Sequence, residues 1–150
     1  MRGLIFKASY FYSKDKLRST WPEAISEYGS FDKAAETGRN IIVIWVCIES
    51  NDKEEYLRSL TKRVKELNKQ FYKLKHIILF PFAHLSNKLA NPKKGREFIS
   101  KLSILLGKEG FQVDTISFGT HKDIKLEVPG QPAAVSYFEF PYSGKKPKVN

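Results

Sequence analysis

The sequence predicts a single compact α/β domain, a mixed β-sheet with two main helices. The 150-residue length suits one ordinary domain with one core. Short β-rich runs alternate with two amphipathic stretches that are long enough to be helices. The composition, 41% hydrophobic and 28% charged, is typical of a globular chain. The order of elements along the chain reads β, β, α, β, α, β, β, β.

The first half of the chain begins with two predicted strands. Leu4 to Ala8 forms a short first strand. The polar segment from Tyr10 to Arg39 predicts a long connection with a helical turn, because it carries turn signals at Trp21-Pro22 and Tyr28-Gly29-Ser30. Within Asn40 to Glu49, the continuous apolar residues 41–48 predict a strand that is buried on both faces.

The first helix is predicted directly after this strand. Ser50-Asn51-Asp52 supplies capping side chains, and Glu54 and Glu55 fall in the first turn, where carboxylates suit the helix dipole. An apolar stripe at spacings of three and four residues follows, formed by Leu57, Leu60, Val64, Leu67, Phe71 and Leu74. The opposite face is cationic, with Arg58, Lys62, Arg63, Lys65 and Lys69. A solvated face is the default interpretation of such a run, and an RNA-facing one is the alternative.

The second half holds the remaining strands and the second helix. The run His76 to Phe80 predicts a buried strand that Pro81 ends. Asn91-Pro92 opens a helix that Gly110 stops, with apolar positions at Phe98, Leu102, Leu105 and Leu106. Three further strands are predicted over residues 111–118, 124–128 and 134–140, with Val128-Pro129-Gly130 as the turn between the last two. Residues 144–150 predict a basic tail or linker, which leaves 1–143 as the domain.

Cysteine content and hydropathy predict a soluble cytoplasmic protein. Cys47 is the only cysteine, so an intrachain disulfide and a cysteine metal cluster are excluded. Its apolar neighbours indicate a buried thiol, compatible with a reducing compartment. Every apolar run is shorter than the roughly 18 residues of a membrane span, and the segment from Arg2 to Lys7 is too short for a signal peptide.

The net charge of +10 is large for this length. It favours a polyanion partner such as RNA or DNA through phosphate neutralisation. The alternative is a lysine-rich surface selected for solubility or for high temperature.

Common catalytic motifs are absent from the sequence. It has no Walker loop, GxGxxG, HExxH or GxSxG. His76, His84 and His121 lack the tight spacing and the carboxylate that a zinc site wants, so no metal and no cofactor is predicted. Ser86 near His84 resembles a nucleophile with its base, but no neighbouring acid orients the pair.

Two predicted strands end in polar, cationic residues. His84 follows the strand that ends at Phe80, and His121-Lys122 follows the predicted strand 111–118. If these strands are neighbours, the three side chains share the mouth of one pocket at the rim of the sheet.

The segments around these ends resemble a known family. The residues are Pro81-Phe82-Ala83-His84-Leu85-Ser86, Leu89-Ala90-Asn91-Pro92, Gly110-Phe111-Gln112-Val113 and Phe118-Gly119-Thr120-His121-Lys122. Together they are similar to the N-terminal editing domain of archaeal threonyl-tRNA synthetases. The likeness extends in weaker form from Met1-Arg2-Gly3-Leu4 to Gly130-Gln131-Pro132-Ala133.

The resemblance implies a fold like that of D-aminoacyl-tRNA deacylase, a homodimer, and hydrolysis of L-serine mischarged onto tRNA(Thr). The expected partners are the acceptor end of that tRNA and a synthetase catalytic module, either fused or on a separate chain. By the same resemblance, Lys122 and His84 are the catalytic residues. Lys122 stands near the attacking water, His84 acts in positioning, and the terminal ribose 2′-hydroxyl assists. Substrate binding is implied for Pro81, Phe82, Ala83, His121, Cys47, Ile48 and Glu49.

The chain departs from the family pattern at two positions. His121 replaces a tyrosine, and Val135 replaces a glutamate for which Glu49 or Glu127 could substitute. The loss of that acid keeps open a catalytically weak tRNA-binding appendage as an alternative. A D-aminoacyl-tRNA deacylase of broader range is a second alternative.

Overall fold

The computed structural model describes residues 1–20 and 38–142, which form six strands and two α-helices. The strands are β1 (Arg2–Arg18), β2 (Gly38–Cys47), β3 (His76–Pro81), β4 (Gln112–Thr115), β5 (Thr120–Glu127) and β6 (Val135–Glu139). The helices are α1 (Glu54–Leu67) and α2 (Pro92–Lys108).

All six strands belong to one mixed sheet with the order β4-β3-β2-β1-β5, and β6 also pairs with β1. The β2–β3 and β3–β4 pairs are parallel, whereas β1 is antiparallel to each of its partners. One edge of β1 is shared, since residues 2–6 pair with β6 and residues 10–18 pair with β5. The predicted fold class, one α/β domain with a mixed sheet and two main helices, is confirmed.

The core lies on both faces of the sheet. Ile42 and Ile44 of β2 pack with the buried stripes of α1 and α2 on one face. Ile41 and Val43 pack on the other face in a cluster that includes Phe11 and the partly buried Leu126 of β5. The predicted burial of β2 on both faces is therefore confirmed. Cys47 is also buried, as predicted.

The helix boundaries agree well with the sequence, but one cap does not. Asn91 accepts a hydrogen bond from the Lys94 amide (2.9 Å) at the start of α2, and Gly110, with φ of 93°, follows its end. The N-cap of α1 is Lys53, without a side-chain cap. The prediction of capping by Ser50-Asn51-Asp52 is therefore wrong, because the buried Asp52 carboxylate instead accepts from the Glu49 amide (2.7 Å) and from the N-terminal amine.

The prediction that Phe71 continues the apolar stripe of α1 is also wrong. A π-helical turn, Asn68–Tyr72, follows α1 and inserts an extra residue into the stripe. Tyr72 is consequently buried and donates its hydroxyl to the Ala133 carbonyl (2.7 Å), while Phe71 is exposed.

Three strand predictions need correction. The first strand runs to Arg18 rather than to Ala8, because the polar residues that follow pair with β5. β4 is shorter than predicted, and β5 begins at Thr120 instead of Ile124. His121 and Lys122 therefore lie inside β5 and not in a loop at the end of β4. The predicted turn signals at residues 21–22 and 28–30, and the tail at 144–150, lie outside the described residues.

Among the described residues, no helix has the length and apolar content needed to cross a membrane.

Candidate functional site

His84 lies at the carboxyl end of the parallel strands. β3 ends at Pro81, the Phe82 amide donates to the Val46 carbonyl (2.9 Å), and a short 3₁₀ turn, Ala83–Leu85, presents the exposed imidazole. The Phe82 ring stacks on Trp45 with centroids 4.4 Å apart and meets the His84 ring edge-on at 5.2 Å. The aromatic contacts thus fix the position of the turn that carries the histidine.

A cavity of roughly 360 Å³ opens beside His84. It is lined by Arg2, His84, Leu85, Ser86, Asn87 and Lys88. These described lining residues include two side chains of positive charge and no carboxylate. The surface of the cavity therefore suits an anionic or hydroxyl-rich ligand.

Glu49 contacts two of the residues that line this cavity, Arg2 and Ser86. Its carboxylate accepts hydrogen bonds from Arg2 Nε (3.0 Å), Ser86 Oγ (2.5 Å) and the Met1 amine (2.7 Å). Burial acts to raise the pKa of Glu49, but the hydrogen bonds from the Met1 amine and Ser86, together with the charges of the amine and Arg2, outweigh it and lower the pKa. Glu49 is therefore ionised at neutral pH and links the end of β2 to the loop after His84.

That loop is also tied to β2 through the backbone. The Ala90 amide donates to the Ile48 carbonyl (3.0 Å), the Ser50 amide donates to the Lys88 carbonyl (2.9 Å), and Glu49 forms an isolated bridge with Leu89. A second cavity, whose lining includes Glu49 and Phe140, shares Arg2 and Lys88 with the first. The loop that follows His84 is thus held rigidly against the end of β2.

Lys122 lies in a separate network between β1 and β5. It pairs in register with Asp15, and its Nζ lies 3.5 Å from Asp15 Oδ1. The side chains of Lys122 and Asp15 are only 5% and 9% exposed. Nζ also donates to the carbonyl (3.2 Å) and to Oγ1 of Thr120, and Thr120 Oγ1 donates to Asp15 Oδ1 (2.9 Å).

The environment of Lys122 alters its acidity. Burial, which disfavours the charged form, lowers the pKa of Lys122, and the Asp15 carboxylate partly opposes this effect. The amine is therefore easier to deprotonate than an exposed lysine, a property common among side chains that take part in proton transfer.

The segment that leads to Lys122 leaves the sheet at the same end as His84. The Ile116 amide donates to the Leu79 carbonyl (2.9 Å), which continues the pairing of β4 with β3 up to the carboxyl end of both strands. The ring of Phe118 then lies against Gly95 in the first turn of α2, the helix that follows the His84 loop along the chain. Among the described residues, however, Lys122 is not one of those lining the cavity beside His84.

The remaining predicted site residues differ in accessibility. Ala83 and His121 are exposed, Pro81 and Phe82 are half-buried, and Cys47 and Ile48 are buried in the core. Burial raises the pKa of Cys47 to about 11, so its thiol is not a nucleophile at neutral pH. Val135, at 52% exposure, begins β6 opposite Phe6.

Sequence reasoning missed Arg2, Asp15 and Thr120. Arg2 stands beside Glu49 only because β1 and β2 are antiparallel neighbours that pair Arg2 with Cys47. Asp15 sits in a lysine-rich stretch that reads as solvated surface. The pairing of β1 with β5 is what makes it a partner of Lys122.

Metal binding has little support in this region. Within residues 1–20 and 38–142, no three histidine, cysteine, aspartate or glutamate side chains are grouped closely enough to hold a metal ion. The cavity offers instead the His84 imidazole and several hydrogen-bond donors, and the separate network between β1 and β5 holds a buried amine.

Comparison with known proteins gives consistent results. The family model for the archaea-specific editing domain of threonyl-tRNA synthetase matches residues 1–139. The threonine–tRNA ligase of Thermococcus kodakarensis is 30% identical over 141 residues, which cover 89% of this chain and 21% of that protein. The enzyme of Nanoarchaeum equitans is 30% identical over 114 residues, covering 75% and 18%. The chain thus spans about a fifth of the length of the curated relatives it matches.

Among solved structures, the c-Myc DNA Unwinding Element Binding Protein superposes with a TM-score of 0.69 at 9% identity, covering 95% of this chain and 100% of that one. At this identity the likeness shows the fold alone. The predicted D-aminoacyl-tRNA deacylase-like fold is confirmed.

Proposed function

The chain belongs to the family of archaea-specific editing domains of threonyl-tRNA synthetase, and we propose that it hydrolyses the ester of L-serine mischarged onto tRNA(Thr). Serine is threonine without one methyl group. A synthetic site can discriminate by one such group with only roughly 1–3 kcal/mol, so a second pocket that admits serine and excludes threonine supplies the missing fidelity.

The observation that carries this proposal is the placement of His84 beside a cavity rich in hydrogen-bond donors at the carboxyl end of β3. The segment leading to Lys122 leaves β4 at that same end, which supports a common pocket for the two side chains. In the proposed mechanism, water held near Lys122 attacks the ester carbonyl carbon, and the bond from that carbon to the ribose 3′-oxygen breaks. The adjacent 2′-hydroxyl accepts the proton of the water and gives its own proton to the leaving 3′-oxygen. His84 positions the seryl group through a hydrogen bond from its imidazole.

The proposal extends to partners and location. The net charge of +10 suits contact with the phosphates of the tRNA acceptor end. A homodimer, a synthetase catalytic module in the same or a separate polypeptide, and a cytoplasmic location complete the proposal.

The direct test is deacylation of three substrates. We expect rapid hydrolysis of L-seryl-tRNA(Thr) and little hydrolysis of L-threonyl-tRNA(Thr) or of a D-aminoacyl-tRNA. Equal hydrolysis of the D-aminoacyl substrate would instead indicate a deacylase of broader range.

Lys122→Ala tests the proposed catalytic amine. We expect kcat for seryl-tRNA to fall by about 10²-fold or more, the size typical of losing one group that stabilises the charge developing on the carbonyl oxygen, with tRNA affinity nearly unchanged. Lys125→Ala is the matched control, because Lys125 is an exposed lysine on the same strand. Since Lys122 is buried, Lys122→Met preserves its volume and separates catalysis from folding. An unchanged rate in both Lys122 variants would remove this residue from the mechanism.

One observation favours a second candidate function. Val135 places an exposed apolar side chain where the family resemblance calls for a glutamate. A tRNA-binding appendage of low activity would bind tRNA(Thr) without turnover of its seryl ester. Restoration of hydrolysis by Val135→Glu would support this reading.

A further inference from the structure

The geometry around Lys122 is unusual for a surface ribbon. Asp15 and Lys122 stand directly opposite each other in the antiparallel β1–β5 pair, so both side chains project from the same face. A register shift follows Asp15, between Asp15 and Leu17, where the strand is irregular. Such irregularities commonly redirect a side chain, and here they accompany a charge pair that is turned inward.

A neighbouring ion pair on the same two strands provides an internal comparison. Lys16 and Asp123 are 3.1 Å apart, and their side chains are 50% and 57% exposed. Lys122 and Asp15 are 5% and 9% exposed. A charge removed from water to this degree is stable only when it is paired and hydrogen-bonded. The buried pair of Lys122 and Asp15 must therefore stay paired and hydrogen-bonded, whereas the exposed pair of Lys16 and Asp123 can be solvated by water.

The hydrogen bonds of the buried pair, Lys122 and Asp15, meet at the hydroxyl oxygen of Thr120. Thr120 Oγ1 accepts from Lys122 Nζ and donates to Asp15 Oδ1 (2.9 Å), the same oxygen that lies 3.5 Å from Nζ. The hydroxyl thus bridges the ammonium and the carboxylate. An ammonium group has three protons to donate, and this network, with the Thr120 carbonyl, provides an acceptor for each of them.

We propose that Asp15 is a positioning residue that, through Thr120, holds the Lys122 side chain in place as an ammonium ion, ready to donate to a bound ester. The inference rests on the proposed function. It implies that Lys122 donates a hydrogen bond to the ester carbonyl and stabilises the negative charge that develops there. The ribose 2′-hydroxyl, and not the lysine, accepts the proton of the attacking water and passes a proton to the leaving 3′-oxygen. The contact between Lys122 Nζ and Asp15 Oδ1, at 3.5 Å, is the longest contact of the ammonium group, so a substrate carbonyl would displace it at the least cost.

The pH dependence follows from the charges around Nζ. Asp15 on β1 is the charged group that contacts it among the described residues, whereas Lys16 and Asp123 form the exposed outer pair and His121, the preceding residue, is exposed. Burial lowers the pKa of Lys122 and Asp15 raises it, so removal of the carboxylate lowers the pKa further. Activity that needs the ammonium form is lost as pH rises through this pKa.

The test uses Asp15→Asn in the full chain. We expect the Lys122 amine, followed by the NMR signal of its ¹³Cε and assigned by its absence in Lys122→Met, to titrate about one unit lower in pH or more. We expect kcat for seryl-tRNA to fall about tenfold with KM within twofold, and the decline of kcat at high pH to begin at lower pH. Asp15→Glu should restore part of both, and Asp123→Asn should change neither.

A second variant addresses the chance that Asp15→Asn does not fold. Thr120→Val keeps the shape of the side chain and removes only the bridging hydroxyl. We expect it to lower kcat about tenfold and to lower the thermal midpoint only modestly, since Lys122 and Asp15 still face each other. Thr120→Ser should recover both losses.

The outcomes separate the two proposals. If the unmodified protein does not hydrolyse seryl-tRNA, the proposed function is wrong and the inference falls with it. If the unmodified protein is active but neither Asp15→Asn nor Thr120→Val changes the Lys122 titration or kcat, the inference alone is overturned.

Discussion

Glu49 shows how one side chain can connect the proposed site to the core. It receives hydrogen bonds from the Met1 amine, from Arg2 and from Ser86, and its own backbone amide donates to Asp52. These contacts join the start of β1, the end of β2 and the loop after His84. A loss at this position should therefore affect stability before it affects chemistry.

Glu49→Gln tests this role and has a defined pH signature. The lowered pKa means that the carboxylate stabilises the fold above its unfolded pKa, near 4.5, and that this contribution disappears as pH falls through the folded pKa. We expect the variant to lose about 1–3 kcal/mol in urea unfolding at pH 7. The difference from the unmodified protein should shrink below about pH 4.5.

Glu66→Gln is the matched control, because Glu66 is an exposed glutamate in the last turn of α1. Its unfolding free energy should change by less than about 0.5 kcal/mol. Equal effects of the two substitutions, or a Glu49→Gln loss that persists unchanged at pH 3, would contradict the assignment.

At the scale of elements, the close packing of β1 depends on Gly3. An added Cβ would lie 1.9 Å from the Trp45 carbonyl oxygen and 2.5 Å from the ring of Phe138. The first contact is with backbone and cannot relax by a rotamer change. The glycine therefore lets β2 and β6 approach β1 on both sides.

Gly3→Ala should destabilise the protein by about 3 kcal/mol or more, at the upper end of what overpacking costs, because backbone must move. Gly107→Ala is the opposite case, since nothing lies within 4 Å of its added Cβ near the end of α2. That substitution should stabilise by up to about 1 kcal/mol through helix propensity. Urea unfolding of both variants measures the contrast, and similar values for the two would refute the close-approach argument.

The elements also show where sequence patterns stop being informative. The helices α1 and α2 were predictable because burial of one face imposes a periodic apolar pattern, and β2 was predictable because burial of both faces imposes a continuous apolar run. Tyr72 replaces Phe71 in the core because a π-turn changes the period, and no local signal marks that turn. The second half of β1 looked like a polar connection because its inward residues include Ser13 and Asp15, which pairing with β5 buries or partly buries.

The same limit applies to the proposed site. The resemblance of residues 81–86 and 118–122 to a known family makes His84 and Lys122 the predicted catalytic residues. It could not identify Asp15 or Thr120, since their contacts with Lys122 arise from strand register. It also could not reveal that the Glu49 carboxylate is already held by Arg2 and Ser86. Pairwise contacts across strands are set by the whole fold and not by neighbouring residues.

At the scale of the whole molecule, the net charge of +10 matters most through its distribution. Lys88 and Arg2 line both cavities at the carboxyl end of the parallel strands. The cationic face of α1 contributes no side chain to the lining of either cavity. Its last member, Lys69, lies about 24 Å along the helix from Lys53, which lines the second cavity, at 1.5 Å per residue. Arg2 and Lys88 therefore adjoin the proposed site, and the cationic residues of α1 do not.

We therefore expect the tRNA acceptor end to bind across the cavities and not along α1. Contact with about three phosphates predicts that affinity for a tRNA(Thr) acceptor minihelix falls roughly 20- to 40-fold between 50 and 200 mM salt. Lys88→Gln should weaken binding and lower the slope of log affinity against log salt by about 0.7–0.9, the value of one phosphate contact. Lys69→Gln removes the same charge from the remote end of the helical face, so it should leave that slope unchanged in the same fluorescence anisotropy titration. A slope that drops with Lys69→Gln instead would place the RNA on α1, and the cavity beside His84 would then be too far from the acceptor end to receive its ester.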